Sequence, residues 1–461
     1  MKYACAWIAR HGFRAALSGL AGLCLAATPA LAQTKLVKHG TGEDAAAYYE
    51  RIGADLGFPV AGSNLTDLIS YLGYDGLSAR DLEVIEPARL MASSADEFAE
   101  LAGAVEDRDA FAGAISPEDF TARPILATRF LAPRIVDLSG PPPYPAGWRK
   151  LVRLDARPSS EAAVAGVERA YVQFDYVRAQ DDPEPFPTPE SADDRSAAII
   201  QVLLVPEAGH ATLTDGVYFI LFAGSRAGYV STRSIAGNFD LPPDPQSDGI
   251  FYVPDACGRC HGDVGRPTNA GVVFPWARLN FLNTDYWHDR SHPDDFFAEA
   301  TSIHGVLFDG GRDEASTQYA AAFEVIRAFN DEIAEQDERA AGAPNDPNYQ
   351  LQGARKWQEL HAGSVVHAPV LDRSLGEPGD RWSTERPEDE PLLTLLSRHC
   401  YRCHNTIDFN VFLKPRFAGV AKSSISSVMF SIMPFGHNLN AHNPADSEAL
   451  IEALKLLLAL G

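Results

Sequence analysis

Apolar residues recur at helical spacing in several separate stretches of the chain. Near the start, residues 44–56 are rich in alanine and contain a pair of tyrosines, and Ser94 and Glu97 form a capping-box pattern ahead of an apolar helix face. Residues 316–340 carry apolar side chains at i, i+3, i+4 and i+7, and residues 446–460 place leucines on one face. These patterns predict an early helical region and two later amphipathic helices.

The period changes from helical to alternating between about residues 136 and 245. Residues 172–176 alternate between apolar and polar side chains, which is typical of a half-buried strand. Residues 199–205 and 217–222 are largely apolar runs on either side of a turn that contains Asp215 and Gly216. We predict an antiparallel β unit of five to seven strands here, without a catalytic constellation.

The first 32 residues have the three parts of a secretory signal peptide. Lys2, Arg10 and Arg14 give a positive start, residues 15–27 are apolar, and residues 30–32 read Ala-Leu-Ala, the small-x-small pattern of a cleavage site. The chain has no adjacent pair of arginines in this segment, which favours Sec-type over twin-arginine export. We therefore predict a periplasmic protein whose mature chain begins near Gln33.

The net charge excludes two classes of function. The chain carries −23 at pH 7, and loss of the signal removes three positive and no negative residues, which takes the charge to −26. Nucleic-acid binders and proteins that adhere to anionic membranes need a basic surface instead. Beyond residue 30 no apolar stretch reaches the roughly 20 residues of a spanning helix. A partner protein with a basic docking face suits this charge.

The cysteines form two copies of one motif. Four cysteines remain after the predicted cleavage, and each pair is followed directly by a histidine: Cys257, Cys260 and His261, then Cys400, Cys403 and His404. C-x-x-C-H is the attachment signature of c-type haem. The two thiols reach the vinyl groups of one porphyrin, and the histidine offers its imidazole to the iron. We predict two covalently bound haem c groups.

Two other interpretations of the cysteine pairs compete with haem attachment. Four thiolates could hold one structural zinc ion, but the cysteine pairs of zinc ribbons are much closer in sequence. The zinc interpretation also gives the two histidines no role. Each pair could also be a redox disulfide, although no thioredoxin-like βαβ pattern surrounds either one. Both alternatives explain fewer residues of the motif than haem attachment does.

At these motifs the chain resembles the c-type cytochromes. Residues 386–461 combine a helix before the motif, a methionine loop and a C-terminal helix, and so resemble a class I cytochrome c domain. A weaker overall resemblance is to the bacterial dihaem cytochrome c peroxidases and MauG-like proteins. The chain departs from that family because residues 33–256 precede the first motif and only 57 residues follow His404.

The resemblance implies a multidomain fold class, in which mainly α haem domains of cytochrome c type follow a helical segment and an antiparallel β-rich domain. We divide the chain accordingly: signal peptide 1–32, helical N-terminal region 33–135, β-rich domain 136–245, first haem domain 246–385 and second haem domain 386–461.

The resemblance makes His261 and His404 the proximal iron ligands and suggests a methionine opposite His404. Two of the three methionines of the mature chain, Met429 and Met433, lie downstream of His404. Met433 precedes a proline, as in the distal-ligand loop of class I cytochromes, so it is the first choice and Met429 the second. Two core methionines at helical spacing are the alternative.

The first haem has no methionine in its own segment, between Cys257 and Cys400. Histidines are the candidate sixth ligands there, with His288 the first choice and His292 and His304 the runners-up. An empty or water-bound sixth position is the other possibility, and it would permit chemistry at the iron.

Three functions are compatible with two haems. The favoured one is electron transfer between periplasmic redox partners, which needs no substrate pocket. The second is a dihaem peroxidase or oxygenase with a reactive first haem and a relaying second haem, so enzyme activity stays open. The third is a cytochrome subunit of a larger redox complex, in which residues 33–245 serve assembly or docking.

Overall fold

The computed structural model describes residues 41–132, 147–176, 199–213, 216–236, 250–254, 325–335 and 447–452, together with the single positions 257, 261, 279 and 445. The predicted signal peptide and the second C-x-x-C-H motif lie outside these described residues. The described part contains a layer of short helices and an antiparallel sheet, which share one cluster of buried apolar side chains.

The helical layer is built mainly from the first 80 described residues. Its helices are α1 Gly42–Leu56, α2 Leu65–Tyr71, α3 Ala79–Val84, α4 Pro87–Leu90, α5 Ala95–Ala104 and α6 Arg108–Ala114, followed by a 3-10 turn at Pro117–Phe120. A one-turn helix, α7 Glu161–Val164, lies between two strands. Two later helical segments are α8 at 325–335 and α9 at 447–452, within the two amphipathic helices predicted for 316–340 and 446–460.

Short polar side chains begin these helices. The first three helices each start with a reciprocal capping box, in which the cap side chain accepts an N–H of the first turn and an aspartate accepts the cap N–H: Thr41 with Asp44, Asn64 with Asp67, and Ser78 with Asp81. Such caps satisfy backbone donors that have no partner within the helix. They allow helices of only six or seven residues to start at defined positions.

The helix predicted from Ser94 and Glu97 is present as α5, and its cap differs in one detail. The Ser94 hydroxyl accepts the N–H of Glu97 at 3.2 Å, as a capping box requires. The Glu97 carboxylate accepts instead from the N–H and the hydroxyl of Ser93, both at 2.7 Å. The prediction of the N-cap is therefore confirmed, while the Glu97 carboxylate binds the preceding Ser93 and not the N-cap residue itself.

Six strands form one antiparallel meander. They are β1 Ile125–Ala132, β2 Gly147–Asp155, β3 Val167–Tyr176, β4 Ile199–Pro206, β5 Tyr218–Ala223 and β6 Ser231–Thr232, and each pairs with the next along the chain. A separate hairpin joins β7 Ser234–Ala236 to β8 Ile250–Tyr252. The predicted antiparallel unit is thus present, and it extends before residue 136 because β1 begins at Ile125.

Cross-strand register sorts the side chains onto two faces, because successive residues of a strand point to opposite sides. Face A includes the paired row Val152, Val172, Val202 and Ile220, and face B includes the row Arg153, Tyr171, Leu203 and Phe219. The helical layer packs on face A, while α8 and residue 261 contact face B.

Lys150 joins face A to the helical layer. It is fully buried, and its ammonium donates hydrogen bonds to the carbonyls of Leu82 at 2.6 Å, Glu83 at 2.9 Å and Ile85 at 2.5 Å. These carbonyls lie at the C-terminal end of α3, where the helix leaves acceptors unsatisfied and where its dipole favours a positive charge. The Lys150 side chain therefore caps the C-terminal end of α3.

The paired tyrosines of α1 cover part of the edge of β5. Strand β6 is only two residues long, and beside it the Tyr48 hydroxyl accepts the N–H of Phe219 at 2.8 Å. The Tyr49 hydroxyl accepts the N–H of Leu221 at 2.9 Å and donates to the carbonyl of Thr232 at 2.5 Å. The two tyrosine hydroxyls thus take the place of a longer edge strand, because they accept hydrogen bonds from N–H groups of β5 that such a strand would otherwise bind.

The predicted fold class is wrong. The described residues are 45% helical and 23% strand with one antiparallel six-stranded sheet, and they do not form a mainly α cytochrome fold. The physical reason is that the N-terminal helices bury their apolar sides on face A and share its core, so helical segment and β unit are one packed structure. The limits of the predicted domains stay predictions.

Candidate functional site

Two of the predicted site residues lie within the described part of the chain, Cys257 and His261. The others fall on positions outside it, and they comprise the remaining motif residues and the candidate sixth ligands: Cys260, Cys400, Cys403, His404, Met429, Met433, His288, His292 and His304. The geometry of the first motif therefore comes from its first cysteine and its histidine.

Cys257 and His261 are joined by one helical turn. The carbonyl of Cys257 accepts the N–H of His261 at 3.1 Å, which is the i, i+4 bond of an α-helix. Residues four apart lie on the same side of a helical turn. The motif spacing thus brings the side chains of Cys257 and His261 to one side of the chain, and Cys257 also packs against the hydrophobic core.

The imidazole of His261 lies against the sheet. Its ring centroid is 5.4 Å from that of Phe219, and the two ring planes are inclined by 53°. Phe219 belongs to face B and is only 3% exposed, whereas His261 is half-buried. Tilted aromatic pairs at this distance are favourable. One side of the histidine is consequently covered by a buried apolar ring.

Tyr48, Tyr49 and Phe219 together form what we call the aromatic wall. Burial raises the pKa of Tyr48 well above its usual 10.0, the N–H of Phe219 opposes this, and the nearby Cys257 raises the pKa further. Burial likewise raises the pKa of Tyr49, with Cys257 again adding to the effect. Both hydroxyls therefore stay neutral, and their role is to hold the β5 backbone beside the motif.

The residues of the first motif fit a covalently attached haem. A thiol and an imidazole on one helical turn are the groups that form a thioether and an axial iron ligand. The buried aromatic wall beside them is the kind of apolar surroundings that a porphyrin needs. Among the residues that the structure describes, no group of three or more His, Cys, Asp or Glu side chains is arranged to hold a metal ion.

A second group of polar side chains lies on the same face of the sheet. We call it the ion cluster: Arg153, Asp155, Arg169, Tyr171 and Glu332. Glu332 of α8 accepts hydrogen bonds from Arg153 and Tyr171 and lies 3.2 Å from Arg169, and Arg153 also lies 3.1 Å from Asp155. The ring of Phe329 packs 5.9 Å from that of Tyr171. Charge and aromatic contact thus hold α8 on face B.

Burial raises the pKa values of two acidic groups in the ion cluster. It raises the pKa of Asp155, because loss of water outweighs the favourable charges of Arg153 and Arg169. Burial also raises the pKa of Tyr171, and the charge of Glu332 adds to this shift. Tyr171 therefore stays protonated and serves as a donor to Glu332.

Sequence reasoning missed the aromatic wall and the ion cluster. Tyr48 and Phe219 are 171 residues apart, and Tyr171 and Glu332 are 161 apart, so no local spacing connects them. The available signals were indirect: a pair of tyrosines in a predicted helix, and the charged residues Arg153 and Asp155 two positions apart in a stretch that was not predicted as a strand. Neither signal identifies a partner.

Comparisons with protein-family models, with curated proteins and with solved structures find no match to this chain. The functional interpretation therefore rests on the motif residues and on the contacts around them. None of the helices in the described ranges is long and apolar enough to span a membrane.

Proposed function

We propose that this chain is a periplasmic c-type cytochrome that transfers electrons between redox partners through two covalently bound haems. The observation that carries the proposal is the doubled C-x-x-C-H motif, which uses every cysteine that remains after the predicted signal cleavage. The helical turn between Cys257 and His261, set against the aromatic wall, supports it at the first motif.

Each motif residue has a defined part in this function. Cys257 and Cys260 would hold the first haem and His261 would be its proximal ligand, while Cys400, Cys403 and His404 would do the same for the second. When bound, each haem supplies a one-electron iron centre. Phe219, which belongs to the aromatic wall, covers one side of the His261 imidazole with a buried apolar ring.

The sixth ligands give the two haems different roles in the proposal. Met433, with Met429 as runner-up, would complete the second site, and methionine is a weaker donor than imidazole and raises the potential. His288, with His292 and His304 as runners-up, would complete the first site at a lower potential. Two such sites allow an electron to enter at one haem and leave from the other.

An acidic surface supports a basic partner. The chain carries −23 overall, and the segment from α5 to the 3-10 turn contributes a group of exposed carboxylates: Asp96, Glu97, Glu100, Glu106, Asp107, Asp109 and Glu118. Complementary charge raises association rates between transient redox partners, and salt screens this attraction. The proposed partner is therefore a periplasmic redox protein with a basic docking face.

The intact mass of the denatured protein tests the proposal. We expect two haem additions on a chain that begins near Gln33, because thioether bonds survive denaturation. A double variant, Cys257→Ser with Cys260→Ser, is the matched control and should retain one haem. A wild-type mass without adduct, or a native protein that holds zinc instead, would contradict the proposal.

The spin state of the ferric protein then separates transfer from catalysis. Electron transfer predicts two low-spin haems that react slowly with hydrogen peroxide, since protein side chains would fill both axial positions of each iron. A dihaem peroxidase predicts a high-spin first haem and rapid turnover of peroxide. That second result would replace electron transfer with the peroxidase alternative while leaving haem attachment intact.

A further inference from the structure

We infer that Phe219 is a positioning residue for the proximal imidazole of the first haem, and that Tyr48 fixes the place of Phe219. The inference rests on the proposed function, because it assigns His261 to haem iron. It goes further by naming residues of the sheet and of α1 that orient this ligand, although neither belongs to the motif.

The contact between the two rings is the first step of the argument. The ring centroids of Phe219 and His261 lie 5.4 Å apart at an inclination of 53°, so the phenyl ring touches the imidazole at an angle. The His261 N–H is bonded to the carbonyl of Cys257, which fixes its backbone in the motif turn. The orientation of the imidazole then depends on rotation of the His261 side chain, and Phe219 limits that rotation from one side.

The rigidity of Phe219 is the second step. Its strand position lies opposite Leu203 in the register of β4 and β5, and its side chain is 3% exposed. Its N–H is not left to water at the sheet edge, because it donates to the Tyr48 hydroxyl at 2.8 Å. Tyr48 is itself buried in the core and belongs to α1. The phenyl ring is therefore held by both the sheet and a helix.

The chemistry of haem ligands is the third step. Groups around an axial histidine set its orientation and tune the iron to which it binds. A buried phenyl ring also excludes water from one side of the imidazole, which disfavours the more highly charged ferric state. Removing the ring should therefore favour ferric iron and lower the potential of the first haem.

The test compares Phe219→Leu with Phe222→Leu in the full holoprotein. Phe222 lies on the same strand and is fully buried, but it pairs with Ile200 on face A, away from His261. Both variants lose the same atoms from a buried site, so both should lose thermal stability. Phe219→Leu alone should also lower the equilibrium constant for reduction of one of the two haems about tenfold, which is ~59 mV for a one-electron couple.

Two further readouts accompany the redox titration. Low-temperature electron paramagnetic resonance of the ferric protein should show altered g-values for one haem in Phe219→Leu, since these values follow the orientation of the axial ligand. Tyr48→Phe removes the hydroxyl that accepts the Phe219 N–H, and it should shift the same haem in the same direction but less. If Phe219→Leu fails to accumulate, Phe219→Met is measured in its place, because it keeps more of the volume.

The outcomes separate the inference from the function on which it rests. Two attached haems whose potentials and g-values are the same in Phe219→Leu, Phe222→Leu and wild type would overturn the positioning role and leave the cytochrome proposal standing. Equal shifts in both phenylalanine variants would also overturn it, because they would show a general loss of packing. A wild-type chain without haem would defeat the proposed function before any titration.

Discussion

The two faces of the six-stranded sheet come from the same strands but carry different chemistry. Face A carries mainly apolar side chains and the buried Lys150, whose ammonium donates to three carbonyls of the helical layer. Face B alternates apolar side chains with ion pairs, and it contacts both α8 and His261. The comparison teaches that one face of the sheet packs on the helical layer, while the other holds α8 and the histidine of the first motif.

The polar groups on the two faces also differ in how they are satisfied. On face A the Lys150 ammonium donates to backbone carbonyls at a helix end, where the helix dipole favours a positive charge. On face B two arginines and a tyrosine converge on one carboxylate, and buried nitrogen and oxygen atoms of Arg153, Arg169 and Asp155 have no hydrogen-bond partner among the described residues. Among the described strand residues, the buried polar atoms that lack a hydrogen-bond partner therefore lie on face B.

The largest expected effect is on face A. Lys150→Met should lower the free energy of unfolding by about 3 kcal/mol, because three buried carbonyls at the end of α3 lose their donor. Urea denaturation measures the change. Arg51→Met is the control, since Arg51 makes an exposed i, i+4 pair with Asp55 and its loss should cost less than about 0.5 kcal/mol. A loss below about 1 kcal/mol for Lys150→Met would show that water replaces the lysine.

The next effect tests whether charge holds α8 on face B. Glu332→Gln should lower the free energy of unfolding by about 2 kcal/mol, because it leaves Arg153 and Arg169 largely buried without their shared carboxylate. Glu335→Gln is the matched control on the same helix, where the side chain is exposed, and it should change stability by less than about 0.5 kcal/mol. Equal effects of the two variants in urea would mean that packing alone holds α8.

The smallest effect is a pH dependence on face B. Burial raises the pKa of Asp155, so the folded state binds this proton more tightly than the unfolded state does. Stability from this group is therefore present below its ordinary pKa of 3.8 and decreases as the pH rises through the raised value. Asp155→Asn should remove that decrease, so the variant gains stability relative to wild type as the pH rises from about 3.5 to 6.

Urea unfolding across this pH range measures the difference between Asp155→Asn and wild type. The control is Asp109→Asn, because the Asp109 side chain is 92% exposed and lies away from the ion cluster. The difference in unfolding free energy between Asp109→Asn and wild type should stay constant across this pH range. A decrease in the relative stability of Asp155→Asn with rising pH would mean that Arg153 stabilises the ionised carboxylate more than burial destabilises it.

Much of the secondary structure could be predicted, and the misses have physical reasons. The alternation in β3 and the apolar runs of β4 and β5 are local patterns, and so is the cap of α5. The short helices α2 and α3 were not located, because six or seven residues do not form a stable helix without tertiary packing. Strand β2 was missed because Lys150 places a charge at a core position, which breaks the alternation.

The predicted fold class failed for a different reason. The two C-x-x-C-H motifs led us to expect mainly α domains of cytochrome c type over residues 246–461. A motif of five residues specifies the chemistry of its own side chains, whereas an architecture depends on which apolar faces pack together. In the described residues the apolar sides of helices pack on a β-sheet. The resulting core contains buried residues from Tyr48 to Leu450.

The sequence by itself determined the chemistry of the candidate site. The spacing of Cys257, Cys260 and His261 is local, and its repetition at Cys400, Cys403 and His404 needs no knowledge of the fold. The structure adds that the backbone between Cys257 and His261 makes one helical turn. Only the tertiary structure decided what surrounds the motif, because Tyr48 and Phe219 reach it through strand register and helix packing, and those long-range contacts leave no periodic signal along the chain.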